Sequence, residues 1–177
     1  MAILGAGAIG LLHLLILRTV GVSKVFMVGR RDYRLRLARE MGAAEVIDAT
    51  VEDGYKRIMD LTNGNGADVV IEATGKTEVW EAAMRMVRRG GQVVLFGGCP
   101  SGTKVQVDTG RLHYDQITLR SPFHYTRAAV RKSYELLTSG MATAARAMIT
   151  AEYPLQDLAT VFSLLQKGDC AKFAVIP

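Results

Sequence analysis

The chain has 177 residues, 49% of them hydrophobic and 22% charged, which is enough apolar sequence for one well-buried domain and argues against disorder. The net charge is +5, and the two cysteines, Cys99 and Cys170, lie far apart without metal-ligand spacing. This cysteine usage favours a reduced, cytoplasmic protein over a disulfide-linked one. The most apolar stretch, residues 9–20, is too short to cross a bilayer and contains His13 and Arg18, so no membrane span or secretory signal is expected.

Short apolar runs alternate along the chain with longer runs of helical periodicity. Six runs are predicted as buried strands because they are β-branched or continuously apolar: residues 2–4, 24–28, 45–47, 68–71, 92–96 and 117–119. Helices are predicted at residues 9–20, 32–41, 51–62, 77–87 and 127–139, with Gly21, Gly42 and Gly90 ending three of them. This alternation predicts an α/β fold, with a doubly wound parallel six-stranded sheet of order 3-2-1-4-5-6 and helices on both faces.

The pattern changes near residue 144. A short extended run at 147–150 is followed by Pro154, a helix near 155–166 and a final strand at 172–176. This strand-helix-strand segment is too small to fold alone. We therefore predict a main domain over residues 1–143 and a C-terminal segment over 144–177, which packs on the sheet or belongs to a part of the protein that is missing.

A glycine motif joins the first strand to the first helix: Gly5-Ala6-Gly7-Ala8-Ile9-Gly10. Its spacing and its place between a strand and a helix are those of a Rossmann dinucleotide-binding turn. Gly5 would permit the tight turn, Gly7 would let a pyrophosphate approach the backbone, and Gly10 would let the helix pack closely on the strand. The alternative is a tight strand–helix turn without a ligand.

The end of the second strand bears on which dinucleotide binds. NAD sites normally carry Asp or Glu there, whereas this chain has Gly29 followed by Arg30 and Arg31. A carboxylate would repel a 2′-phosphate, a glycine makes room for it, and a guanidinium can grip it. We predict NADP rather than NAD, with Arg30 as the main contact and Arg31 as support. The alternative is that Asp32 reaches the ribose and the arginines are solvated.

Five arginines cluster in this region: Arg30, Arg31, Arg34, Arg36 and Arg39. Such a cluster is usually a solvated helix face, and it could also bind nucleic acid. Its place directly after the second strand favours cofactor binding, and Arg34 is included in the predicted site on this ground. No nucleic-acid or membrane partner is expected.

The chain resembles the cofactor-binding domain of the zinc-type medium-chain dehydrogenases, which include alcohol, sorbitol and threonine dehydrogenases. Besides the glycine motif, the resemblance is carried by Tyr33-Arg34-Leu35 with Ala38, Met41-Gly42-Ala43, residues 66–75, Gly90-Gly91-Gln92-Val93-Val94 and the C-terminal residues 172–177. It implies that Thr74 and Gly75 lie beside the bridging region of the cofactor. It also implies that Gly97 and Gly98 let the backbone approach the nicotinamide ribose. Ser121-Pro122 departs from the Gly-Ser pair that the family often has near the nicotinamide.

The resemblance places the family's catalytic zinc in an N-terminal domain that this chain does not contain. His13, His113 and His124 have no ligand spacing with either cysteine, so neither a metal site nor a catalytic residue is expected here. The chain would then be the coenzyme-binding domain of an NADP-preferring, zinc-dependent alcohol or polyol dehydrogenase. By itself it would bind the dinucleotide without turnover, and residues 144–177 would return to the missing catalytic domain. The alternative is a stand-alone dinucleotide sensor.

The resemblance also implies a homodimer. The family often dimerises by pairing its sixth strands, which here would be the run from Gln116 to Arg120. An exposed edge strand invites such pairing, although an edge can also be capped.

Overall fold

A computed structural model describes residues 1–168 and 170–177. Six parallel strands form one sheet in the order β3-β2-β1-β4-β5-β6, which confirms the predicted order. The strands are β1 (Ala2–Leu4), β2 (Phe26–Gly29), β3 (Glu45–Asp48), β4 (Ala67–Glu72), β5 (Val87–Leu95) and β6 (Thr118–Arg120). The sequence order reverses between β1 and β4, so a crevice opens there at the carboxyl ends of the strands.

Helices cover both faces of this sheet, as predicted. They are α1 (Ala8–Thr19), α2 (Asp32–Glu40), α3 (Gly54–Leu61), α4 (Thr77–Met86), α5 (Thr109–Tyr114), α6 (Arg127–Leu136) and α7 (Ala142–Arg146). The segment between α6 and α7 (Leu137–Met141) is kinked at Gly140, which has a φ of 105°. Helix α5 was not predicted, because its six residues are too few to show a helical period. Gly21 and Gly42 follow helices with positive φ, but Gly90 lies within β5 beside a register shift, so its predicted role as a helix end was wrong.

The core consists of two layers, one on each face of the sheet. Successive side chains of a strand point to opposite faces, so Ala2 and Leu4 of β1 join the layer under α3 and α4, whereas Ile3 joins the layer under α1 and α2. All three residues of β1 are buried. The central strand is therefore fixed on both faces, and so is the turn that follows it.

The C-terminal segment forms a small sheet of its own. Strands β7 (Ile149–Pro154) and β8 (Lys172–Ile176) pair in parallel, and a 3-10 turn (Leu155–Asp157) and α8 (Leu158–Lys167) connect them. Met148 and Ala171 are buried in the same apolar layer as α1 and α2. The segment thus packs against the helices on one face of the main sheet. Within the described residues, no helix combines the length and the apolar character that a bilayer crossing needs.

Candidate functional site

A cleft of about 810 Å³ lies at the carboxyl ends of β1, β2 and β4. Its walls include the glycine turn after β1, the residues that follow β2, the start of α3 and residues of α4 between Val79 and Met86. This is the crevice at which the strand order reverses. Parallel α/β sheets bind their ligands at this position, because the loops and helix N-termini of both halves converge there.

The three motif glycines face different surroundings. Gly5 has a φ of +113°, and a Cβ on it would lie 2.7 Å from Cγ2 of Thr74. A Cβ on Gly10 would lie only 1.9 Å from the carbonyl oxygen of Gly5, so the helix can begin this close to the strand only with glycine there. A Cβ on Gly7 would meet no protein atom closer than Nη1 of Arg34, at 4.0 Å. Gly7 therefore borders open space in the cleft.

The N-terminus of α1 opens into the same space. Gly7 is its N-cap and brings no side chain to cap the first turn, which carries no acidic residue either. The N–H groups of Ala8 and Ile9 have no carbonyl partner within the helix, because the first intrahelical bond runs from Leu11 N to Gly7 O. Free N–H groups and the positive end of the helix dipole together favour an anion.

Gly29 at the end of β2 is buried and tightly packed. A Cβ on it would lie 2.8 Å from Cβ of Ala6 and 2.9 Å from Cδ2 of Leu35. Packing alone thus accounts for a glycine at this position. Any preference for a 2′-phosphate must then come from the arginines that follow.

The three predicted arginines line the cleft but are held differently. Arg30 is exposed and has no hydrogen bond or ion pair in the part of the chain that the structure describes. Nη2 of Arg31 lies near the backbone of Gly168, 3.2 Å from where a Cβ of that glycine would be. Arg34 donates from Nε to the carbonyl oxygen of Cys170 at 2.8 Å. Of the three, only Arg34 makes a hydrogen bond among the described residues, so Arg30 and Arg31 would give up no such bond to bind a ligand.

The alternative contact, Asp32, is engaged elsewhere. Its carboxylate pairs with Arg36 one turn along α2, and both side chains are largely exposed. Asp32 is not among the residues that line the cleft. The first turn of α2 therefore presents arginine rather than aspartate to the cleft.

Two further basic side chains line the cleft from α4 and the loop before it, Lys76 and Arg85. Asp53 also lines the cleft, and its carboxylate caps α3, because it accepts hydrogen bonds from the N–H groups of Tyr55 and Lys56. The cleft is thus strongly positive. Lys76 was not among the predicted site residues, although its position directly after Thr74-Gly75 at the end of β4 could have indicated it.

The loops after β4 and β5 contain the other predicted residues, and they pack directly on each other. A Cβ on Gly97 would lie 2.2 Å from the nitrogen of Gly75, and a Cβ on Gly75 would lie 2.5 Å from the carbonyl oxygen of Gly98. Nε1 of Trp80 donates to the carbonyl oxygen of Gly97 at 2.8 Å. Thr74 lines the cleft, and Gly98 has open space where a Cβ would be. Gly75 and Gly97 are thus required by contact between the loops.

Glu72, the last residue of β4, is fully buried beneath these loops. Its Oε1 accepts hydrogen bonds from Thr74 N at 2.6 Å, Thr74 Oγ1 at 2.5 Å and Gly75 N at 3.1 Å. Glu72 was not among the predicted site residues and lies within residues 66–75, which carry part of the family resemblance. A carboxylate at the end of an apolar strand and before Ala-Thr-Gly could have indicated a residue that organises the turn.

No zinc site can be assembled from these residues. The described residues bring no three candidate ligands together. Nε2 of His13 is buried and has no hydrogen-bond partner among the described residues. The imidazole ring packs edge-on against the ring of Phe96, with 4.6 Å between the ring centroids, and burial lowers the pKa of this histidine. Burial raises the pKa of the Cys99 thiol, and the nearby carboxylates of Glu72 and Glu78 raise it further. Among the described residues, His13 and Cys99 belong to no group of three potential ligands, the number of protein ligands that a catalytic zinc needs.

Comparison with known proteins agrees with this geometry. The family model described as "Zinc-binding dehydrogenase" matches residues 8–139. The L-threonine 3-dehydrogenase of Bacillus licheniformis is 32% identical over 182 residues, and the sorbitol dehydrogenase of Bacillus subtilis is 27% identical over 179 residues. Each alignment covers 100% of this chain, but 51% and 50% of the respective relative. The chain thus spans about half the length of the curated relatives it matches.

Solved structures of dehydrogenases also match this chain over about half of their own length. The alcohol dehydrogenase TADH from Thermus sp. ATN1 superposes with a TM-score of 0.89 at 27% identity, covering 99% of this chain and 50% of that one. A putative zinc-binding dehydrogenase from Sinorhizobium meliloti 1021, bound to NADP, superposes with a TM-score of 0.84 at 28% identity, covering 99% and 52%. With a family match over most of its length, this chain belongs to the zinc-binding dehydrogenase family.

Proposed function

We propose that this chain is the coenzyme-binding domain of an NADP-preferring, zinc-dependent alcohol or polyol dehydrogenase. The observation that carries the proposal is the open space at Gly7, where the free N-terminus of α1 meets a cleft bordered by basic side chains. A dinucleotide carries a pyrophosphate near its centre. Residues Gly5 to Gly10 would hold that pyrophosphate on the backbone N–H groups of the first turn of α1.

The adenosine half would lie over β2 in this proposal. A 2′-phosphate there would meet Arg30, whose guanidinium gives up no protein partner in the described chain, with Arg31 and Arg34 beside it. Bidentate contacts between a guanidinium and a phosphate are strong because both groups are charged. The Sinorhizobium meliloti relative bound to NADP supports this choice at 28% identity.

The other half of the dinucleotide would lie over β4 and β5, beside Thr74 and Gly98. The nicotinamide carries the hydride when it is bound, and this chain's residues bind and orient it. Zinc ligands would have to come from outside the described residues, which bring no three candidates together. We therefore expect the 177-residue chain to bind the dinucleotide without oxidising an alcohol. The division into a binding domain at 1–143 and a segment at 144–177 that packs with a catalytic domain is part of this proposal.

Titration of the purified chain with NADPH and with NADH tests the proposal directly. NADPH is expected to bind at least about tenfold more tightly, which corresponds to about 1.4 kcal/mol from the contacts to the 2′-phosphate. Fluorescence of the reduced nicotinamide reports both titrations in the same buffer. Adenosine 2′,5′-bisphosphate and 5′-AMP are the matched pair for the adenosine half alone. Equal or tighter binding of NADH would exclude the NADP preference.

We also propose that the chain forms a homodimer through its sixth strand. Strand β6 lies at the edge of the sheet and pairs only with β5 among the described strands. It is shorter than the predicted run: Gln116 has a positive φ of 54° and Ile117 is buried, so only Thr118–Arg120 is available for pairing. Light scattering is expected to give about twice the 19.2 kDa mass of one chain. A monomer mass at every concentration would contradict the dimer.

A further inference from the structure

The buried carboxylate of Glu72 lies beneath the loop after β4, which lines the cleft through Thr74, and it also contacts the loop after β5, which packs on the first loop. We infer that Glu72 is a positioning residue that sets the shape of these loops, Thr74–Gly75 and Gly97–Gly98, for the nicotinamide half of the dinucleotide. The inference rests on the proposed function, because it names the residue that prepares one half of that site. Glu72 itself would not touch the ligand, since its side chain is fully buried.

The first loop is held by the side chain of Glu72. Three donors converge on Oε1: the backbone N–H groups of Thr74 and Gly75 and the hydroxyl of Thr74. The Thr74 hydroxyl in turn accepts a hydrogen bond from Lys76 N at 3.2 Å, so the turn is connected up to the start of α4. Hydrogen bonds to a carboxylate are roughly twice as strong as those between neutral groups. One acceptor thus fixes a turn whose Gly75 has a positive φ of 70°.

The second loop is held by the same residue through both its backbone and its side chain. The carbonyl oxygen of Glu72 accepts hydrogen bonds from Phe96 N at 2.9 Å and Gly97 N at 3.0 Å. Oε2 of Glu72 lies 2.7 Å from where a Cβ of Gly97 would be. Gly97 is therefore packed against the carboxylate itself, so a change in the Glu72 side chain would reach both loops.

The charge of Glu72 is balanced locally by these donors. No ion pair to its carboxylate occurs among the residues that the structure describes, so the N–H and O–H groups of the loop solvate it. Burying a carboxylate without such donors is very unfavourable. The loop and the carboxylate therefore stabilise each other, and a neutral side chain of the same shape would loosen the turn without leaving a cavity.

Sheet topology predicts which half of the ligand would respond. Strands β4 and β5 lie on one side of β1, and β2 with its arginines lies on the other. A dinucleotide that spans the switch point places its adenosine over β2 and its second half over β4 and β5. A substitution at Glu72 should therefore weaken the binding of a full dinucleotide but leave unchanged the binding of a ligand that consists of the adenosine half alone.

The test is Glu72→Gln, titrated with NADPH and with adenosine 2′,5′-bisphosphate. We expect the Kd for NADPH to rise about tenfold and the Kd for the bisphosphate to stay within about twofold. Asp68→Asn is the matched control, because it removes the same charge from the opposite end of β4, where Asp68 is exposed and pairs with Arg88. It is expected to leave both Kd values within about twofold.

A second variant, Thr74→Val, removes one of the three donors and keeps the shape of the side chain. It should weaken NADPH binding in the same direction, and its effect should be smaller in the Glu72→Gln background, because both changes act on one hydrogen bond. This non-additivity identifies positioning through the loop and would not follow from a general loss of stability.

The outcomes separate the inference from the proposed function. If the unmodified chain binds both ligands and Glu72→Gln leaves NADPH binding unchanged, the inference is wrong and the proposed function stands. If Glu72→Gln raises the Kd values for both ligands equally, the residue stabilises the fold as a whole and the inference is also wrong. If the unmodified chain binds neither ligand, the proposed function fails and the inference fails with it.

Discussion

Replacing Arg30 with alanine is expected to raise the Kd for NADPH about thirtyfold and to leave the Kd for NADH within about twofold. The guanidinium is exposed at the cleft without a protein partner in the described chain, so a 2′-phosphate would gain its hydrogen bonds without breaking one within the described residues. Hydrogen bonds to charged groups contribute about 2 kcal/mol, which gives that ratio of affinities. Titration of both reduced dinucleotides measures the effect.

Arg39→Ala is the matched control for this experiment. Arg39 lies in the last turn of α2, the helix that begins two residues after Arg30, is exposed, and does not line the cleft. Its removal changes the net charge by the same amount, so it should reproduce any loss that comes from long-range attraction alone. Equal weakening of NADPH binding by Arg30→Ala and Arg39→Ala would contradict a specific contact at Arg30.

Gly10→Ala is expected to reduce the stability of the fold, whereas Gly7→Ala is expected to reduce dinucleotide affinity and leave the fold stable. The Cβ of Gly10→Ala would lie 1.9 Å from the carbonyl oxygen of Gly5, a backbone atom held by the buried strand β1. We expect it to destabilise the fold by about 3 kcal/mol or more, because α1 would have to move off the strand. Chemical denaturation with and without ligand measures the loss.

The Cβ of Gly7→Ala would enter open space, and Gly7 already has a φ of −78° that alanine adopts without strain. Its stability should change by no more than about 1 kcal/mol, since the poorer N-cap is offset by a less flexible unfolded chain. Dinucleotide affinity should fall by at least about tenfold, because the new methyl group takes the place proposed for the pyrophosphate. If a folded Gly7→Ala variant binds the dinucleotide with undiminished affinity, the ligand does not bind at this turn.

The elements of the main sheet were predictable because fully buried parallel strands have a simple pattern. Continuous apolar runs such as that of β1, separated by helical runs, determine the order of a doubly wound sheet almost without reference to side-chain detail. The short helix α5 was missed, and the edge strand β6 was predicted to begin and end one residue too early. Their residues are few and mostly exposed, so hydrophobic periodicity says little about them.

The glycine turn and the arginines of the candidate site were predictable for a different reason. Their spacing follows from the geometry of one strand-to-helix connection, so a local motif contains the information. The contacts between the loop after β4 and the loop after β5 were not predictable in this way. They join Glu72 and Gly75 to residues of the second loop that are more than twenty positions away in sequence. The packing of Gly29 against Ala6 and Leu35 is likewise a contact between separate elements.

The hydrogen bond from Arg34 to the carbonyl oxygen of Cys170 has a consequence for binding strength. An arginine side chain that moves freely in solvent loses conformational entropy when it binds a phosphate, and that loss weakens the affinity for the phosphate. Arg34 has already lost part of this freedom on folding, because Nε is anchored and Nη1 is left beside Gly7. The chain just before β8 therefore preorganises a guanidinium for a cleft that Cys170 itself does not line.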